Sequence, residues 1–308
     1  MYRPNRKRIA RPGSVAASVV LVSGMVIGSA AAAQYTSWAP ATNAESIPGT
    51  STELNTSSLD GCPIQSPDGL SLYMASDRPG GLGGIDIWVA LRANADAPFG
   101  APANLGAPVN SAADDFCPTP VRGAGLYFVS TRTVPGACGG ADIYFARQNP
   151  ALGWTAPTNI GCQANSAAGE AGPSYFEADD RAFLYFSSGP DIVVSERQPD
   201  RSWGVAAAVA ELNSDAADLR PNVTKNGLEI VFDSNRLGTL GGQDLYFASR
   251  SSLDAPWSIP VNAGGALNTS ANETRGSFSW DGTTLYFGRA PGPEGMSDIF
   301  VSTRSKTH

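Results

Sequence analysis

The sequence predicts an all-β chain, a five-bladed β-propeller of four-stranded antiparallel blades. Three observations carry this. A pattern of Asn, then Ser or Thr, then three free positions, then Asp or Glu occurs five times, starting at Asn55, Asn110, Asn165, Asn213 and Asn268. The copies are 55, 55, 48 and 55 residues apart, and the Asn-to-acid offset is five in every copy. Apolar and aromatic runs recur in step with them, and no stretch keeps a 3.6-residue apolar period with caps.

Each unit divides into four strands in order. A short apolar piece after the acid runs into a turn such as Ser66-Pro67-Asp68-Gly69 or Ser279-Trp280-Asp281-Gly282, suited to a hairpin. The second strand is the run Leu72-Tyr73-Met74 and its counterparts at 126–128, 184–186, 230–232 and 285–287. A Gly-rich loop leads to the third strand, which opens on Asp86, Asp142, Asp191, Asp244 or Asp298. The fourth strand is expected to carry the aromatic of an Ala/Pro-rich segment: Trp38, Phe99, Trp154, Trp203 or Trp257. Branched and aromatic residues alternate with small or polar ones, as half-buried strands require. Four-stranded units of about 50 residues, repeated, are the mark of a propeller.

The last unit stops after its third strand, and a lone Trp segment, Tyr35 to Pro40, stands near the start. That N-terminal strand is expected to complete the last blade and leave no open sheet edge. Residues 34–308 are expected to form this single domain. Residues 1–33 have the order of a Sec-type signal peptide. Arg3, Arg6, Lys7, Arg8 and Arg11 precede an apolar run from Val15 to Val26, then Ala31-Ala32-Ala33. Cleavage leaves 28 acidic and 16 basic residues, a formal charge of −12. Such a domain is a poor partner for nucleic acid or an anionic membrane. No later apolar run approaches the roughly 20 residues of a membrane span. An exported monomer, periplasmic or secreted, is expected.

The run Ser66-Pro67-Asp68-Gly69-Leu70-Ser71-Leu72-Tyr73-Met74-Ala75-Ser76-Asp77-Arg78-Pro79-Gly80-Gly81, followed by Asp86-Ile87-Trp88-Val89-Ala90, resembles the WD-like propeller repeat of the TolB type. The resemblance covers essentially all of the mature chain. It implies an exported propeller, and mostly binding or scaffold modules, many fused to a peptidoglycan-binding domain of the OmpA type that this chain has no room for. Unit three departs from the pattern: Ser187-Ser188-Gly189-Pro190 replaces the Gly-Gly loop and its Arg.

In a propeller the connections into the first strand and between the second and third share one face. Asp60, Asp115, Glu170, Asp218 and Glu273 are therefore expected around the channel mouth, as a ring of like charge needing relief by cations, hydrogen bonds or protonation. Two uses compete for them. They can accept loop N–H groups and pair with Arg78, Arg132 or Arg236, or they can hold a polar ligand or a cation such as calcium. Two residues after each acid the chain reads Cys62, Cys117, Gly172, Arg220 and Arg275. The two arginines could grip an acidic or sugar ligand, or pair with ring acids. Four cysteines in an exported chain allow three pairings, of which Cys62–Cys117 and Cys138–Cys162 are favoured. Neither a metal site nor any cofactor is expected from Cys ligands without C-x-x-C spacing. The strand-three Asp set is expected to bind loop N–H groups, the Trp set to pack between blades, and Trp280 to sit on the opposite face.

The lone histidine is His308, which removes Ser-His-Asp and Cys-His mechanisms. No catalytic residue is expected. The sequence thus supports a non-enzymatic module that binds a protein, a glycan or cell-envelope material at the acid-lined face. The alternatives are a glycosidase using ring carboxylates, with Arg220 and Arg275 orienting substrate, and an envelope scaffold. Against the glycosidase stands the sameness of the acids, because catalytic carboxyls need divergent surroundings.

Overall fold

A computed structural model describes residues 35–123, 125–178 and 180–307. Residues 1–33, expected to be a signal peptide, lie outside them. Among the described residues the strands form five antiparallel sheets, arranged as a five-bladed β-propeller with one short 3-10 turn at Ala44–Ser46. No described helix is long and apolar enough to cross a membrane.

β1 (Thr42–Asn43) belongs to the last blade. Blade 1 is β2 (Asp60–Gln65), β3 (Ser71–Ser76), β4 (Asp86–Leu91) and β5 (Ala103–Asn104). Blade 2 is β6 (Asp115–Val121), β7 (Gly125–Ser130), β8 (Asp142–Asn149) and β10 (Thr158–Asn159), with β9 (Gly153–Trp154) as an extra partner of β8. Blade 3 is β11 (Glu170–Ala178), β12 (Arg181–Ser188), β13 (Asp191–Glu196) and β14 (Ala207–Ala208). Blade 4 is β15 (Asp218–Val223), β16 (Glu229–Ser234), β17 (Asp244–Ser249) and β18 (Val261–Asn262). Blade 5 is β19 (Asn272–Phe278), β20 (Thr284–Ala290), β21 (Asp298–Thr303) and β1.

The N-terminal strand closes the ring as expected. Thr42 pairs with Val301 and Asn43 with Phe300. Thr36 N–H and Ala39 N–H donate to Ser305 O and Thr303 O, each at 2.9 Å. The aromatics sit elsewhere than expected. The outer strands are only two residues long and begin four residues after Phe99, Trp154, Trp203, Trp257 and Trp38. These rings plug the gap between blades before the strand begins: Trp203 and Trp257 stand edge-on to Tyr127 and Tyr185, and Trp38 stacks on Phe247. A ring that must fill an inter-blade gap gains more from burial than from a place in a short outer ladder.

The core lies between blades in repeated layers. Met74, Phe128, Phe186, Phe232 and Phe287 on the second strands are fully buried, as are Ile87, Ile143, Ile192, Leu245 and Ile299 on the third. Each contributes about 1.5–3 kcal/mol of burial. The segments entering each blade are splinted to the blade before. Asn110 accepts from Ile87 N–H and donates to Ile87 O, both at 2.9 Å, and Asn165, Asn213 and Asn268 do the same to Ile143, Ile192 and Leu245. Asn55 makes this bond from blade 1 to Ile299 across the seam. An amide side chain can pair with a strand as a backbone unit does, and this explains why Asn opens every copy of the motif. The Gly-rich loop of one blade rests on the next entering segment so closely that a Cβ at Gly83 would lie 2.0 Å from Ala113 O. This contact puts both sets of connections on one face.

Candidate functional site

The five motif acids begin the innermost strands, as expected, but they do not form a ring of like charge. Four are held by arginines. Asp60 pairs with Arg78 at 2.5 Å, Asp115 with Arg132 at 2.6 Å, Glu273 with Arg289 at 2.7 Å, and Asp218 with Arg236. All four carboxylates are fully buried. Their second oxygens accept from the motif Ser or Thr: for Asp115, from Ser111 N–H at 2.6 Å and Ser111 Oγ at 2.8 Å, whereas in Glu273 Oε2 takes only the Thr269 N–H and the Thr269 hydroxyl shares Oε1 with Arg289. The arginines also bind the entering segments, as Arg78 does at Glu53 O and Leu54 O. A carboxylate with a guanidinium on one oxygen and two donors on the other has little capacity left for a ligand. Arg289 escapes sequence reasoning because it lies within β20 rather than in the loop that carries Arg78, Arg132 and Arg236.

Blade 3 is different. Glu170 has no arginine. Its Oε1 accepts from Ser166 N–H at 3.0 Å, Ser166 Oγ at 2.7 Å and Ser188 Oγ at 3.2 Å. Its Oε2 is buried without a partner. Burial pushes the Glu170 carboxyl above its usual range, against the serine hydrogen bonds, and the Asp142 charge adds to the rise.

The strand-three acids differ in the same blade. Asp86 accepts from Leu82 N–H, Gly83 N–H and Asn104 Nδ2. Asp142 and Asp244 have the same three partners in their own loops and outer strands. Asp298 accepts from Glu294 N–H at 2.9 Å, its Oδ1 is buried without a partner, and burial raises its carboxyl. Asp191 has no side-chain partner among the described residues and is half-buried. Two absences cause this: the connection, shortened from the expected Ser187–Pro190 to Gly189-Pro190 because Ser187 and Ser188 join β12, lacks the N–H pair, and Ala208 stands where the other outer strands carry Asn104, Asn159 or Asn262. Glu170 pairs in register with Ser188, and Ser188 with Asp191. Their side chains therefore share one face of the blade, two strand spacings apart, roughly 10 Å between backbones. The missing loop arginine was visible in the sequence; the missing Asn was visible too, as Val205-Ala206-Ala207-Ala208 against Pro102-Ala103-Asn104.

The variable position after each acid is a β-bulge aimed at the axis. Cys62, Cys117, Gly172, Arg220 and Arg275 all have positive φ, between 47° and 61°. The ladder slips at each of them. Four are followed by Pro, which has no N–H to lose at a bulge. Cys62 bonds to Cys117 across blades 1 and 2, and Cys138 bonds to Cys162 between the β7–β8 loop and the next entering segment. Both disulfides fit an oxidising compartment outside the cytoplasm. Arg220 does not pair with a ring acid. It grips Asp233 with Nε and Nη2, and Arg275 N–H adds a bond to Asp233 at 2.9 Å. Asp233 carries no repeat signal and sequence reasoning missed it.

Trp280 lies on the opposite face, as expected, half-buried beside Arg122 at 4.6 Å and Lys225 at 5.7 Å. It borders a crevice of about 460 Å³ with Tyr127 and Tyr175. No group of three or more His, Cys, Asp or Glu among the described residues is placed to hold a metal ion.

No protein-family profile matches the chain, and no curated protein matches it by sequence. Solved structures do match. A thermostable family-43 glycoside hydrolase aligns over 84% of this chain and 93% of its own, at 12% identity and a TM-score of 0.53. The α-L-arabinofuranosidase of Podospora anserina aligns over 89% and 97%, at 14% identity and 0.55. A family-43 endo-arabinanase from Bacillus licheniformis aligns over 80% and 94%, at 12% identity and 0.52. At such identities the likeness establishes the propeller fold. The neighbours are glycoside hydrolases and not TolB-type repeats. The resemblance to the TolB type is therefore corrected, and with it the expectation of a non-enzymatic binding module.

Proposed function

We propose that this propeller is a carbohydrate-active enzyme that cleaves glycosidic bonds, with Glu170 and Asp191 as its working pair. The observation that carries this is the blade 3 exception. In a ring whose other motif acids are bound to arginine, one blade leaves both of its acids without a cation. The objection from sameness loses its force, because the environments diverge even though the spacing does not. The fold shared with arabinofuranosidase and arabinanase supports the reading and suggests arabinose- or xylose-containing polysaccharide as substrate. The chain works outside the cytoplasm, in the periplasm or as a secreted protein.

Glu170, whose carboxyl burial raises above its usual range, has the character of a general acid. It gives its proton to the leaving glycosidic oxygen as the bond to the anomeric carbon breaks. Asp191, half-open to solvent, takes a proton from the water that attacks that carbon. Ser166 and Ser188 fix the Glu170 carboxyl from one side and leave Oε2 for the substrate. Carboxyls on strands this far apart suit the wider spacing, about 6.5–9.5 Å, that leaves room for a water. The test is hydrolysis of arabinan, xylan and aryl pentosides. Glu170→Gln and Asp191→Asn should each lower kcat by about 10²-fold or more, the usual worth of a positioned proton donor or acceptor, with unchanged circular dichroism. Silence of the wild type across these substrates, or full activity in Asp191→Asn, defeats the proposal.

A further inference from the structure

The axis of the propeller holds a cation whose partner is missing. Arg275 reaches inward from the blade 5 bulge and lies against Gly61 of blade 1, where a Cβ would be 2.9 Å from its Nη1. Its guanidinium has no hydrogen bond and no ion pair among the described residues, and its Nε is buried without an acceptor. The charged groups facing it are Arg220 and Asp233. Asp233 is fully buried and already gives both oxygens to Arg220. Its Oδ1 also accepts from Arg275, but from the backbone N–H. Two guanidiniums therefore stand near one carboxylate, and only that of Arg220 is paired with it. Burial, with Arg220 beside it, lowers the Arg275 guanidinium to about 10.

A cavity of about 30 Å³ adjoins this pair, lined by Arg220, Arg275, Gly172 and the Cys62–Cys117 bridge. A water needs roughly 10–15 Å³ of such volume. The space therefore suits one small species. A neutral water fills the room but leaves the half-buried Arg275 charge unbalanced, and a charge drawn partly out of water without a counter-charge is costly. We propose that the channel binds one small monovalent anion, of the size and charge of chloride, on Arg275 between the bulges of blades 3, 4 and 5. The five left-handed bulge residues explain why the position varies from blade to blade. Two close it with a disulfide, one with a bare glycine backbone, one anchors Asp233, and one is left to hold the ion. The inference rests on the axis alone and is independent of the blade 3 pair.

Thermal melting in sodium chloride, compared with sodium gluconate at equal ionic strength, tests it. A ligand that binds only the folded chain raises the melting temperature in step with the logarithm of its concentration. The wild type should melt higher in chloride, and in bromide, than in gluconate. Arg275→Gln should lose that difference, while Arg122→Gln, on the opposite face, should keep it. Chloride-35 NMR of the folded wild type gives a reading that does not depend on the variant folding: excess line broadening that added bromide removes. Equal melting in chloride and gluconate, absence of excess broadening, or an undiminished chloride effect in Arg275→Gln overturns the proposal.

Discussion

In blade 1, Asp60 meets Arg78, and Asp86 is bracketed by two loop N–H groups and Asn104. In blade 3, Glu170 and Asp191 hold the same two places with none of these partners. The backbone is the same: Asp60, Ser76 and Asp86 sit in register, as do Glu170, Ser188 and Asp191. The strand scaffold therefore does not need the arginine in order to form. What the arginine changes is the state of the acid. With it, the carboxylate is a buried anion fixed in an ion pair. Without it, burial raises the carboxyl and leaves an oxygen idle. A repeat protein can thus free an acid from its structural partners by deleting those partners rather than by adding residues.

The contrast can be broken most severely in blade 1. Arg78→Met strands the fully buried Asp60 without its cation, and unfolding free energy from urea titration should fall by about 3–5 kcal/mol. A loss under 1 kcal/mol would mean that the arginine is dispensable in blade 1 as it is in blade 3. Next in size is the splint common to all blades. Asn110→Ala leaves the Ile87 N–H unpaired, while the Ile87 C=O keeps the Leu105 N–H, and should cost about 1–3 kcal/mol by the same titration. Sharpening the contrast calls for repair of blade 3. Ala208→Asn restores the amide that brackets the strand-three Asp elsewhere. It should add about 0.5–1.5 kcal/mol of stability while lowering the hydrolysis rate, because Asp191 becomes occupied. A gain in both would separate Asp191 from the chemistry.

The smallest effect is a pH dependence. Glu170 is raised in the fold, so its protonated form is favoured there. Its contribution to stability is full below the ordinary glutamate range and is lost as pH rises through its folded value. Glu170→Gln removes that loss. Its melting temperature should exceed the wild type's at neutral pH, by an amount worth about 1 kcal/mol or less, and the two should converge in acid. A gap independent of pH would show that Glu170 does not titrate with folding.

Much of the fold was open to reading in the chain because each blade must solve the same problem. The period of Asn, acid, Leu-Tyr-Phe and Asp-Ile fixed five sheets, and the orphan segment before Pro40 fixed the closure. The pairing of Asp60, Asp115 and Asp218 with Arg78, Arg132 and Arg236 was one of two uses that the sequence left open for these acids. The candidate site was harder to see, because it is defined by what blade 3 lacks. The loss of the loop Arg is plain at Ser187–Pro190, but the meaning of Ala208 needs the knowledge that Asn104 touches Asp86. Asp233 and Arg289 lie at places where no repeat marks them, so only the folded geometry reveals that they neutralise Arg220 and Glu273. The outer strands were displaced from Trp38 and its counterparts because a two-residue ladder leaves almost no propensity signal.

The seam has a consequence for the order in which the molecule becomes whole. Thr42 must wait for Val301, and Asn55 must wait for Ile299. Blades 1 to 4 and most of blade 5 therefore lie between the two halves of the seam. Contacts so distant along the chain are slow to form. Locking the circle is thus expected to trail the assembly of the blades, and a handful of residues on either side of Thr42 hold it closed.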